Sequence, residues 1–178
     1  MDEINHEVSP CEVLPDDYAI CIAGHGSRDK EGIQEFLTLS AKFKEREPRR
    51  IVECGFLEFA KPTIDDAIVK CVQDGIKNIV VIPGVLMAAG HAKNDMPSEV
   101  IAVSRKYPSI NITYGRSLDV HPKVLRVCEN RIKTAENDSK LNHSRSDTLL
   151  MTVGRGSSDP DANSNISKIS RMLWEGMG

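Results

Sequence analysis

The chain alternates short, continuous apolar runs with longer stretches whose apolar residues recur at helical spacing. The first run, YAICIAG at residues 18–24, has no polar break and closes on glycine. That is the pattern of a strand covered on both faces, where neither side is left to water. Residues 29–46 then put Ile33, Phe36, Leu37, Ser40, Ala41 and Lys44 at helical spacing, with Asp29 as N-cap and Pro48 as the stop. A second strand is predicted at 50–56. The helix after it opens at Pro62, turns Ile64, Ala67, Ile68 and Cys71 inward, and ends before Gly75. KNIVVIPG at 77–84 is the clearest strand, and a loop follows it to about Asn94. A helix capped by Asp95, a weaker strand at 110–115, and a helix with Val124, Leu125, Cys128 and Ile132 inward complete this series. Residues 137–147 are polar and linker-like; TLLMTVG at 148–154 reads as another buried strand, and 165–176 as another helix.

Strands alternating with helices predict an α/β fold: a doubly wound, open parallel sheet of about four strands with helices on both faces. The expected organisation is a polar lead at 1–17, a main domain at 18–136, a linker at 137–147, and at 148–178 the first strand and helix of a second, similar domain. An internal repeat supports that last assignment. AGHGSRD at 23–29 and VGRGSSD at 153–159 are offset by 130 residues and share four of seven positions, each after a strand and before a helix. The second copy carries Arg155 where the first carries His25.

Composition narrows the function classes. A net charge of −3 supplies no bulk field for nucleic acid, and no apolar run approaches a membrane span. The start is polar and acidic, unlike a signal peptide or an anchor. Five cysteines (Cys11, Cys21, Cys54, Cys71, Cys128) form no C-x-x-C pair, and Cys21 and Cys54 lie inside apolar runs, where a free thiol acts as a small hydrophobe. The expectation is a reduced, cytoplasmic protein.

The loop at residues 24–29, GHGSRD, has the strand-then-helix setting of a dinucleotide site but carries Asp29 at the third glycine position, where an acid would repel a pyrophosphate. A Walker A lysine is absent, so no nucleotide cofactor is expected. Ser27 lacks the strained elbow of a hydrolase nucleophile. Topology favours a metal. In strand order 2-1-3-4 the switch point lies between the first and third strands, and ligands bind there, beyond the carboxyl ends of the strands. His25 follows the first strand and His91 sits in the loop after the third. Imidazole suits Co, Ni, Fe and Zn, and two such ligands with no cysteine leave an open, loosely held ion rather than a closed structural site. Glu58, after the second strand, belongs to the same rim as a third ligand or a proton acceptor. His121 precedes Pro122 and is read as part of a helix start; His6 and His143 lie in polar segments and carry no argument.

The motifs GHGSRD, GFLEFAKP, PGVLMAAGHAKNDMP, VGRGSSDPDANSN and RMLWEG, in that order, resemble the class II tetrapyrrole chelatases, specifically the CbiX-type sirohydrochlorin cobaltochelatases. The resemblance runs from about Tyr18 to the end. It implies a chelatase domain at 18–136 that inserts Co2+ into sirohydrochlorin, early in anaerobic-type cobalamin synthesis, with Fe2+ or Ni2+ as other candidate substrate metals. Sirohydrochlorin ferrochelatase and a non-catalytic metal- or tetrapyrrole-binding module are the alternatives. It further implies metal binding by His25 and His91, with Glu58 as base or auxiliary ligand. The substrate is a polycarboxylate around a flat apolar ring, so Arg28 and Lys93 are assigned to its carboxylates and Met87, with Leu86, to the ring. Long members of the family hold two similar domains with the metal-binding histidines in one. The expected partner is therefore a homodimer mate or a missing second half.

Overall fold

The computed structural model describes residues 14–139 and 144–177. Most of the polar lead, with His6 and Cys11, lies outside these residues, as do part of the linker, with His143, and Gly178. Four parallel strands, β1 (Tyr18–Gly24), β2 (Val52–Phe56), β3 (Asn78–Pro83) and β4 (Asn111–Tyr114), form one sheet in the order β2-β1-β3-β4. The fold class and the strand order are those expected from the pattern.

The continuous apolar run of β1 is explained by its place between β2 and β3. Ala19, Cys21 and Ala23 face α2 (Ile64–Gln73) and α3 (Met96–Lys106), in a core with Ile64, Ile68, Met96 and Val103. Ile20 and Ile22 face the other way, with Val52, Phe36 and Phe43 packed against them. Phe36 belongs to α1 (Lys30–Arg46), and its ring fills a notch over Gly24 and Gly84. A Cβ on either glycine would come within 2.7 Å of it. Cys21 and Cys71 are core residues as expected, and burial pushes both thiols up, Cys71 to about 11.

Local signals place the helices closely, with corrections. Asp29 caps α1 by accepting from the Glu31 N–H. The seam of α1 is Ile33, Phe36, Leu37, Ser40 and Phe43; Ala41 and Lys44 are exposed, because at the last turn the large apolar Phe43 takes the inward position and Lys44 reaches Glu53 at 3.6 Å. Pro62 lies before the cap of α2 rather than inside the helix. Thr63 is the N-cap, in a capping box with Asp66. His121 caps α4 (Pro122–Asp138), its Nδ1 accepting from the Lys123 N–H, which is the structural role read for it. The helix runs past the expected linker boundary, and Arg145 makes a two-pronged contact with Glu136 in its last turns at 2.7 and 2.8 Å.

The capping box carries a pH signature. The Thr63 backbone N–H, then the Thr63 hydroxyl and the Lys61 ammonium, hold the Asp66 carboxyl down at about 2. A depressed carboxylate contributes stability above its unfolded value of about 4 and loses it as pH falls toward the folded one. Wild type and Asp66→Asn should therefore differ in urea midpoint at neutral pH and converge between about pH 4 and pH 2. A constant difference across that range would count against the box.

Residues 148–154 are not a strand. Leu149 and Val153 are 83% and 82% exposed, and no neighbouring strand lies beside them among the described residues. A lone strand has nowhere to place its backbone donors and acceptors or its apolar faces. The helix that follows, α5 (Pro160–Met177), does form; it packs on α4 and buries Ala162, Ile169 and Leu173.

The two copies of the repeated loop adopt one turn. Gly26 and Gly156 have φ of +94° and +82°. The Asp29 and Asp159 N–H groups donate to Ser27 and Ser157 Oγ, and the aspartates accept from the N–H groups of Glu31 and Asp161. Ser27 is thus engaged in the turn itself.

Candidate metal centre

Three loops leave the carboxyl ends of β1, β2 and β3 beside the switch point between β1 and β3. The first two are laced by backbone bonds: Leu57 N–H donates to Gly24 O at 2.8 Å and Glu58 N–H to His25 O at 3.0 Å. The close approach needs glycine at position 26, where a Cβ would lie 1.8 Å from Glu58 O. The third loop is braced from the β4–α4 connection, where Asp119 accepts from Ala88 N–H and donates its own N–H to Leu86 O. It ends in a π-helical turn, His91–Asp95, that runs directly into α3. Asp95 was the expected N-cap of α3. Its backbone is already helical and its side chain makes no capping bond, because the helical path begins a turn earlier.

These loops bring His25, Glu58 and His91 together, with one ligand atom from each lying within 4.8 Å of the others. His25 Nε2 is 3.3 Å from Glu58 Oε1, and the two imidazole rings meet edge to face at 4.2 Å. His25 Nδ1 lies 3.0 Å from Gly26 O. A carbonyl only accepts, so Nδ1 carries a proton and Nε2 is the nitrogen turned toward Glu58. A nitrogen and a carboxylate oxygen at that distance share a proton or a cation. Two nitrogens and one oxygen suit an intermediate divalent ion, and three ligands leave coordination positions open.

Of the residues assigned to a substrate, Arg28 sits at the rim with its guanidinium 4.9 Å from the centre of the Phe59 ring. Met87 is half-buried in the loop after β3. Lys93 is held by Asp159, which ends the second copy of the repeat, at 2.7 Å and by Asp161, at the start of α5, at 2.9 Å. Donation to Asp159 first and Asp161 second keeps its ammonium above the ordinary lysine range, and Lys93 in turn holds Asp159 below the carboxylate range. Two residues escaped the sequence reading. Phe59, next to Glu58, is 51% exposed at φ +62°, with its ring 6.3 Å from His25. A bulky residue in that conformation marks a strained position of the kind concentrated at functional sites, and a φ angle leaves no mark in a sequence. Asp95 lies 2.8 Å from His91 Nδ1, and its four-residue spacing from His91 was the available signal.

An open parallel α/β sheet with His25, Glu58 and His91 grouped at its switch point defines the class of this protein. A family model described as CbiX matches residues 19–135, well over half of the chain, and the chain belongs to that family. It is 40% identical over 158 residues to a sirohydrochlorin cobaltochelatase of Priestia megaterium, covering 88% of this chain and 50% of that protein. It is 35% identical over 157 residues to a sirohydrochlorin ferrochelatase of Bacillus subtilis (strain 168), covering 88% and 58%. Among solved structures, SirB from Bacillus subtilis with Fe3+ superposes with a TM-score of 0.76 at 32% identity, covering 89% of this chain and 60% of that one. The chain therefore spans between half and three fifths of the length of these relatives. Among the described residues no helix is long and apolar enough to cross a membrane.

Proposed function

We propose that this chain is the metal-handling half of a sirohydrochlorin chelatase, inserting Co2+ into the macrocycle in the cytoplasm on the route to cobalamin. The observation that carries the reading is the convergence of His25, Glu58 and His91 at the switch point, with His25 Nε2 directed at the Glu58 carboxylate. Insertion of a divalent ion into a free-base tetrapyrrole releases two pyrrole N–H protons. The site therefore has to give up a metal and take up protons. A cation on two imidazoles leaves by breaking few bonds, and Glu58, within reach of His25, serves as proton acceptor or auxiliary ligand. Arg28 and Phe59 at the rim, with Met87, suit a ring edged with carboxylates. Lys93 joins them only by exchanging its aspartate partners for those of the substrate.

Iron is the second reading, favoured by the identity to the Bacillus subtilis ferrochelatase. The donor set does not choose between Co2+ and Fe2+. The exposed apolar residues of 148–154 are proposed to be covered by a second unit of this fold, which also closes the substrate crevice.

The test mixes protein, sirohydrochlorin and metal and follows the absorption change against the uncatalysed rate, with Co2+ and Fe2+ in parallel. Acceleration is expected with both, and the larger kcat/KM identifies the metal. No acceleration with either ion, with or without an added second half, overturns the chelatase reading in favour of a binding module.

A further inference from the structure

His91 has a partner that the reading above does not use. Asp95 Oδ2 lies 2.8 Å from His91 Nδ1. Its residue type and place suit an N-cap, yet its φ of −73° and ψ of −49° are helical and its side chain caps nothing. The turn that holds both residues is fixed on several sides. The Met96 N–H closes it onto His91 O, the Tyr114 hydroxyl donates to Ala92 O at 2.9 Å, and Lys93 is tied to Asp159 and Asp161. Residues four apart on such a turn share one face, so the carboxylate is held against the imidazole.

We propose that Asp95 is the positioning residue of His91. It fixes the tautomer with the proton on Nδ1 and holds the free Nε2 lone pair for the cation shared with His25 and Glu58. A carboxylate only accepts, so a contact of this length requires an Nδ1 donor. A histidine ligand whose other nitrogen donates to a carboxylate is both oriented and made a stronger base toward the metal. His25 receives the weaker version of this support, from the neutral Gly26 carbonyl. The two imidazoles are therefore unequal: His91 is the tighter donor and His25 the looser one. The order of release follows, with the ion parting from His25 before His91. The inference rests on the His–Glu–His cation site.

The test uses the full chain labelled with 15N-histidine. Without metal and above about pH 8, where an ordinary imidazole is neutral, imidazole 1H–15N correlations should report His91 as the Nδ1–H tautomer. Asp95→Ala should lose that tautomer. Asp95→Asn, whose amide oxygen still accepts, should keep it. Titration with Co2+ alone, read by its visible absorption, should weaken by about 10- to 100-fold in Asp95→Ala and by less in Asp95→Asn, at unchanged melting temperature. An Nε2–H His91 in the wild type, or an Asp95→Ala protein with wild-type tautomer and Co2+ affinity, overturns the proposal. A wild-type chain that binds no Co2+ overturns the cation site instead, and the tautomer signal then decides the role of Asp95 by itself.

Discussion

His25→Ala and His91→Ala should each abolish detectable acceleration of metal insertion while leaving the fold intact. Loss of a group that only orients a ligand histidine already costs about 10- to 100-fold, so loss of the ligand itself should exceed 100-fold. Stability should barely change. Neither side chain belongs to the core; His25 gives up Glu58 and the Gly26 carbonyl, and His91 gives up Asp95, all at a partly exposed rim, so the cost is within about 1 kcal/mol. Matched melting curves therefore separate a lost site from a lost fold. The double variant should be no worse than either single one, because residues acting as one unit are strongly non-additive. Glu58→Gln divides the two roles left to that residue. If Glu58 is chiefly a proton acceptor, Co2+ still binds and insertion fails; if it is chiefly a ligand, binding and insertion fall together. Full activity in either histidine variant would remove the two-histidine site.

What could be read from the sequence depended on whether the deciding partners were local. The run at 18–24 was legible as a central strand because both of its faces are covered within the same domain, and the pattern records that. The meeting of His25 and His91 was legible for a topological reason: the order β2-β1-β3-β4 sends the two loops to one crevice. The run at 148–154 has the same apolar signature and forms no strand among the described residues. Hydrophobicity says what must be covered, not whether the cover is present. Asp95 has the residue type of a cap in the place of a cap, and only its four-residue spacing from His91 hinted at the pairing that the π-helical turn makes. Lys93 was placed near the site from its proximity to His91, but its aspartate partners lie at and just after the end of the other copy of the repeat, and charge in a sequence carries no pairing information.

The repeat also supplies the control for the other large expected effect, that of Gly26→Ala. Gly26 and Gly156 sit at equivalent points of one turn with nearly the same positive φ, so an alanine costs about 1–2 kcal/mol in backbone strain at either. Their surroundings differ. At Gly156 the new Cβ meets nothing within 4 Å, whereas at Gly26 it would lie 1.8 Å from the Glu58 carbonyl oxygen. Relief requires the 57–59 segment to move by more than about 1 Å, and a misplacement of that size costs on the order of 100-fold in rate. The movement also breaks the Glu58 N–H to His25 O bond, so the carboxylate and the imidazole part together. Gly156→Ala should lose a little stability and keep its chelation rate; Gly26→Ala should lose more stability and at least about 100-fold in rate. Metal titration of the two variants locates the damage, since only Gly26→Ala should also weaken Co2+ binding. Equal rates in the two would mean that the interlock of the first two loops is not what holds the site, and that His25 and Glu58 keep their geometry by other contacts.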